Sequence, residues 1–341
     1  MKFDFKKLLV GAVIIVVLAV FFLRGDQLVQ LSETVQQGSM IPLVAAVFTQ
    51  LCKYVAQSFG YVFSFAAVGE KMTPRATLPL VFGTFFMNTV APSLNLAGMT
   101  LVVDDARRRG IDPGKSSSAA LLMQITIDGA FVTLMIVGFA ITVLFAGMSP
   151  LWFIPGIVVI GLVAAMIAIM VLGNKNPALL LHVARAIERF VNRVLGLFKR
   201  GPLDPWAERI ICMFSDAAGL ILENPKPAFK AYGTSLVASL CELACFSLVG
   251  VSFGVEDPAV LLCGYVIATL FAMVSFTPQG VGFVEAAVVV AFTAFGQTAA
   301  AGTAIGLVYR GIVFWIPFLI GAVLITRTKT FSRGDDKGEA A

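Results

Sequence analysis

The stretch Ser275-Phe276-Thr277-Pro278-Gln279-Gly280-Val281-Gly282-Phe283-Val284-Glu285 decides how this chain is read. Apolar runs flank it on both sides, so hydropathy puts it at membrane depth. It nonetheless carries a proline, two glycines two residues apart and a carboxylate. Proline and glycine break helices, and a buried glutamate is costly in a bilayer. Non-helical backbone survives at that depth only where it is buried in protein or lines a wet cavity. A kinked structural helix is one reading. The coincidence of Pro278, Gly280, Gly282 and Glu285 favours the other, a broken helix that forms a site.

Composition sets the solvent. Hydrophobic residues make up 58% of the 341 and charged residues 13%, where soluble domains average about 45–50% and about 25%. The apolar stretches are of helical length, which favours a helical bundle over an outer-membrane barrel. A net charge of +5 sits in connecting segments and reads as positive-inside topology, not as nucleic-acid binding. Cys52, Cys212, Cys241, Cys245 and Cys263 fall mostly in apolar runs with no histidine nearby, so they read as small hydrophobes. The single histidine, His182, lies in a basic connection. No metal, cofactor or histidine-dependent catalysis is expected.

Outward from the opening stretch, the spans follow. Lys2, Lys6 and Lys7 precede an apolar run from Leu8 to Leu23 that lacks a small-residue cleavage site, so it reads as an uncleaved first span with a cytoplasmic N-terminus. A second span, about Ile41 to Val68, carries Gln50, Lys53 and Gln57. Residues 77–103 are too short for two spans and are interrupted from Asn88 through Pro92 and Asn95 to Gly98. A re-entrant hairpin fits them. Spans at about 116–146, with Gln124 and Asp128 inside, and at 151–172 follow. Residues 173–227 form a long polar connection with an apolar stripe and arginines at every fourth position, Arg185, Arg189 and Arg193. It reads as an amphipathic helix, either on anionic lipid or on the protein's own surface. The second half repeats the plan: a span at 228–254 with Glu242, a broken element at 258–296, and a span at 299–325 with Arg310. A polar tail from 331 to 341 is expected to be disordered.

The expected fold class is therefore an all-α polytopic membrane protein, with about six full spans and two broken hairpins in an inverted repeat across residues 1–330. Basic residues place both termini and the long connection in the cytoplasm. Paired interrupted segments of this kind point to a transporter site at the bilayer midplane. The candidate site residues are Glu285, Gly280, Gly282, Pro278, Arg310, Asp128, Glu242, Lys53, Asn88 and Asn95. The charges at depth are two positive, Lys53 and Arg310, and three negative, Asp128, Glu242 and Glu285. Corresponding spans pair Lys53 with Glu242 and Asp128 with Arg310, which leaves Glu285 as the carboxylate without a partner.

The run Thr277-Pro278-x-Gly280-x-Gly282-x-x-Glu285, with Arg310, Pro317 and Gly321 after it, resembles the flippase-like transmembrane region of lysylphosphatidylglycerol synthases. Asn88, Pro92, Gly98, Arg109-Gly110-Ile111 and Asp128 are similar to its first half. The resemblance covers about residues 5–328. It implies an inner-membrane protein that moves polar-headgroup lipids between leaflets, as the membrane part of the multiple peptide resistance factor does for lipid made by its fused synthase domain. The residues after 330 are too few for that domain, so no lipid synthesis is expected, and a separately encoded lipid-modifying enzyme or a second copy of the chain is a conceivable partner. Gln279 and Gln124 depart from the family pattern. Two alternatives stand beside transport: a membrane-embedded glycosyl or acyl transferase, for which Asp104-Asp105 is an adjacent acidic pair near a boundary, and a non-transporting scaffold.

Overall fold

Proline opens five of the helices. In a computed structural model Pro74, Pro113, Pro177, Pro225 and Pro258 each occupy a first helical position, where the missing N–H is not needed and φ is already helical. Asp112 and Asp257 complete two of these starts. The Asp112 carboxylate accepts the N–H groups of Gly114 and Lys115 at 2.8 and 3.1 Å, and that of Asp257 accepts the N–H of Ala259 at 2.8 Å. The structure describes residues 36, 38–90, 95–145, 154–197, 207–223, 225–274, 280 and 282–327. The expected first span, the terminal tail and Pro278 lie outside them.

The helices are α1 Met40–Ala67, α2 Pro74–Val90, α3 Leu96–Arg108, α4 Pro113–Phe145, α5 Ile154–Lys175 and α6 Pro177–Leu197. They continue with α7 Ala207–Glu223, α8 Pro225–Ser252, α9 Pro258–Val274, α10 Phe283–Ala294, α11 Ala299–Arg310, a π-turn Gly311–Trp315 and α12 Ile316–Arg327. Among the described residues there is no strand. Five segments among the described residues are long and apolar enough to cross a membrane: Met40–Ala67, Pro113–Ile141, Gly156–Lys175, Pro225–Ser252 and Ala299–Leu324. These match the five later spans expected from hydropathy. The interrupted regions become two pairs of shorter helices, α2 with α3 and α9 with α10.

α1 and α8 make the most extensive helix contact. Around this pair the packing keeps its pattern when the halves are exchanged. α2 packs on α12 and α9 on α4, while α3 packs on α4 and α10 on α11. The α10–α11 approach is close because Gly302 and Gly306 face α10; an added Cβ would lie 3.0 Å from the Val289 Cα and 3.6 Å from the Glu285 Cα. Small residues four apart let membrane helices meet backbone to backbone.

The described residues of the long connection, Asn176 apart, are helical. One residue, Asn176, separates α5 from α6, and α6 packs on α5 and α7. Leu180 reaches the core and Ala184 is buried, but Leu179, Val183, Arg185 and Arg189 are exposed. Of the two sequence readings, packing on the protein's own surface holds for one strip, and the other strip is left open. Because α5 is a span that ends one residue earlier, the start of α6 lies at the membrane surface. A spin label at Val183 is expected to relax with lipid-dissolved oxygen more than with a water-soluble nickel chelate; the reverse order would place this strip in water.

Candidate functional site

Among the described residues, ionisable groups of the expected spans and the broken element meet at two places within the bundle. Lys53 of α1 donates to Glu242 Oε1 of α8, across the central helix contact. The other oxygen, Glu242 Oε2, accepts from the Tyr265 hydroxyl of α9 at 3.3 Å. Both members of the pair keep only 15% and 16% side-chain exposure. One turn before Lys53, the buried Gln50 donates to the Tyr54 hydroxyl at 2.8 Å. The expected pairing of Lys53 with Glu242 is thus present, with Tyr265 as a third member that charge counting did not find. A tyrosine inside an apolar helix was the available signal, since a buried phenol needs a partner.

The second place is the start of α10. Gly282 has φ 90° and ψ −41°, a conformation that glycine adopts far more readily than other residues. Glu285, three residues on, turns back so that Oε2 accepts the Gly282 N–H at 2.8 Å. Its Oε1 lies 3.6 Å from Arg310 Nε. Arg310 is 7% exposed and its guanidinium lies 4.7 Å from the centre of the Phe314 ring. The π-turn begins at Gly311, immediately after Arg310. Such wide turns interrupt a helix at functional sites more often than elsewhere.

This geometry corrects the sequence expectation for three residues. Glu285 is not the carboxylate left over, because it faces Arg310. Asp128 does not pair with Arg310; both its oxygens instead accept from Gln124 Nε2 at 2.9 Å, one turn earlier on α4. Opposite sign in corresponding spans was a sound guide for α1 with α8. It failed for α4 with α11 because α10 interposes its own carboxylate through the close glycine contact.

The first hairpin repeats the device at the start of α3. Asn95 is the one non-glycine described residue with positive φ, at 68°, a conformation that asparagine tolerates better than most residues. Asn88, at the end of α2, accepts the Gly98 N–H on its Oδ1 at 2.6 Å. In each hairpin, then, a polar side chain ties down an N–H at the start of the second helix. Phe85 lies 6.1 Å from Phe314 and Phe86 lies 5.2 Å from Phe318, ring centre to ring centre, so aromatic contacts link α2 to the π-turn and α12 that follow Arg310. Asp104 and Asp105 form i,i+4 ion pairs with Arg108 and Arg109 at 2.9 and 2.7 Å. Among the described residues no cluster of three metal-ligating side chains occurs.

Gly280 has φ 71°, and a Cβ built there would come within 2.7 Å of the Ala272 Cα. Its constraint is therefore the backbone of α9. Gly280→Ala is expected to cost about 1–3 kcal/mol by overpacking, read as a lower melting temperature in detergent. An unchanged melting temperature would show that α9 and the turn move apart freely.

Among the described residues, an all-helical bundle with five apolar segments long enough to span and ion pairs buried between helices defines a polytopic membrane protein. The chain belongs to the family described as the lysylphosphatidylglycerol synthase TM region, whose model matches residues 8–321. No curated protein matches it.

Proposed function

We propose that this protein is a lipid transporter of the flippase type, moving a polar-headgroup phospholipid or glycolipid between leaflets. The observation that carries the reading is the Glu285–Arg310 pair at the start of α10, where a broken apolar helix, a π-turn and two opposite charges coincide. Taking a headgroup through hydrocarbon without partners costs several kcal/mol or more. A polar seam at this depth lowers that barrier while acyl chains stay in the bilayer. The start of α3 is the positive end of its helix dipole and suits a phosphate, whereas at α10 that end is taken by the Glu285 carboxylate.

The α2–α3 and α9–α10 pairs serve on this reading as re-entrant hairpins, entering from opposite sides. The exchange-symmetric packing supports an inverted repeat. Lys71, Arg75, Arg107 to Arg109 and Lys115 support a cytoplasmic location for the ends of the first hairpin, in keeping with an inner-membrane protein that has both termini inside. The chain makes and breaks no covalent bond in this scheme, and its partner is the lipid itself.

The test is reconstitution into liposomes with a headgroup-labelled lipid and a membrane-impermeant quencher. Protein-dependent quenching of the inner-leaflet label, without any added headgroup donor, is the expected result. A new lipid product that appears only with an activated donor would replace transport by transferase activity. Neither outcome in protein that melts cooperatively would leave a scaffold.

A further inference from the structure

The two ion pairs use four of the five charges at membrane depth and leave Asp128. It is 8% exposed, and among the described residues no cationic side chain lies within 4 Å of it. Its depth follows from α4. Lys115 pairs with Glu70 at 2.7 Å near the start of this helix. Asp128 lies thirteen residues further on, about 20 Å along the axis at 1.5 Å per residue. In a hydrocarbon core about 30 Å thick that is well past the nearer surface.

Among the described side chains, the charged groups of the helices packed on α4 are paired or exposed near helix ends. On α1 and α8, Lys53 and Glu242 hold one another, and Tyr232 of α8 bonds Thr133 at 2.7 Å. On α9 the Tyr265 hydroxyl is turned to Glu242. Asp104 and Asp105 of α3 face their own arginines, and Arg107 is exposed. Lys175 of α5, Glu223 of α7 and Lys226 and Lys230 of α8 are exposed near helix ends, and Glu208 of α7 pairs with Arg185.

We propose that Asp128 is a proton-binding site, protonated while it is buried and releasing the proton to water when the halves rearrange, so that lipid movement is coupled to a proton. The coupling rests on the transporter reading; the proton site does not. An ionised carboxylate in an apolar surround without a cation is disfavoured against its neutral acid. Gln124 is the partner that suits a group of changing charge. Its amide donates through Nε2 to the carboxylate, and a half-turn presents Oε1 to the hydroxyl of the acid. A lysine or arginine there would hold Asp128 ionised throughout. The proton comes from water on one side and leaves to water on the other, so no further reactant is involved.

The experiment is pH-titrated infrared difference spectroscopy on the full reconstituted chain, beside lipid translocation under an imposed pH gradient. The wild-type chain is expected to show a protonated-carboxyl C=O band that Asp128→Asn removes and Gln124→Leu shifts in frequency. A pH gradient is expected to change the wild-type translocation rate and to leave that of Asp128→Asn unchanged. If Asp128→Asn fails to fold, the frequency shift in Gln124→Leu still tests the assignment. The same band in both variants as in the wild type overturns the proton site, whatever the transport result. A band that behaves as expected in a protein that moves no lipid upholds the proton site and removes the transporter reading. Full pH dependence in Asp128→Asn overturns the coupling.

Discussion

Replacing Glu242 by leucine is expected to cost about 3–5 kcal/mol, the usual penalty for stranding one member of a buried ion pair. Lys53 would keep a full charge at the central α1–α8 contact, and Tyr265 would lose its carboxylate acceptor. Lys53→Met alone strands Glu242 and is expected to cost nearly as much. The double variant is the informative one. A buried pair replaced on both sides by apolar groups of similar volume is often neutral or stabilising, so Lys53→Met with Glu242→Leu is expected to recover most of the loss. Melting temperatures in detergent complete the double-mutant cycle. Additive losses in the double variant would mean that the two residues act independently, and the pair would lose its part in joining the two halves. Transport by a stable double variant would further confine it to holding α1 on α8.

Arg310→Gln is expected to lower stability by about 2–3 kcal/mol, as for a buried charged group left half satisfied. Three contacts change at once. Glu285 retains the Gly282 N–H but loses its cation, Phe314 loses the guanidinium over its face, and the π-turn loses the side chain at its entry. Arg310→Lys restores the charge without the planar stack and is expected to recover part of the loss. Glu285→Gln is the milder change, because a glutamine oxygen still accepts from Gly282. Transport is expected to be lost in Arg310→Gln even below its melting point, where the folded protein persists. A melting order with Glu285→Gln below Arg310→Gln would argue that Glu285 does more than face Arg310.

Much of the fold is legible in the chain itself. Apolar runs of twenty or more residues have one outcome in a bilayer, because backbone hydrogen bonds must close within the helix. That is why Met40–Ala67, Pro113–Ile141, Gly156–Lys175, Pro225–Ser252 and Ala299–Leu324 fall where hydropathy puts them. Breaks are equally local. Asn95 and Gly282 mark the starts of α3 and α10 because they tolerate a positive φ. Less legible is the connection from 173 to 227, which reads as one amphipathic helix although its described residues build two packed helices, α6 and α7.

The site divides along the same line. Composition by itself determined that two cations and three carboxylates lie at depth, and that one carboxylate must go without a cation. Which one is a matter of helix rotation and approach, and neither is written in a local pattern. Gly302 and Gly306 bring α11 within contact of α10, so Arg310 meets Glu285 rather than Asp128. Lys53 and Glu242 are 189 residues apart and meet because α1 and α8 form the central contact. Local sequence dictates where a helix starts and how deep a charge sits. Partner choice between helices depends on side-chain volumes along their whole lengths, and that was decided only by the tertiary packing.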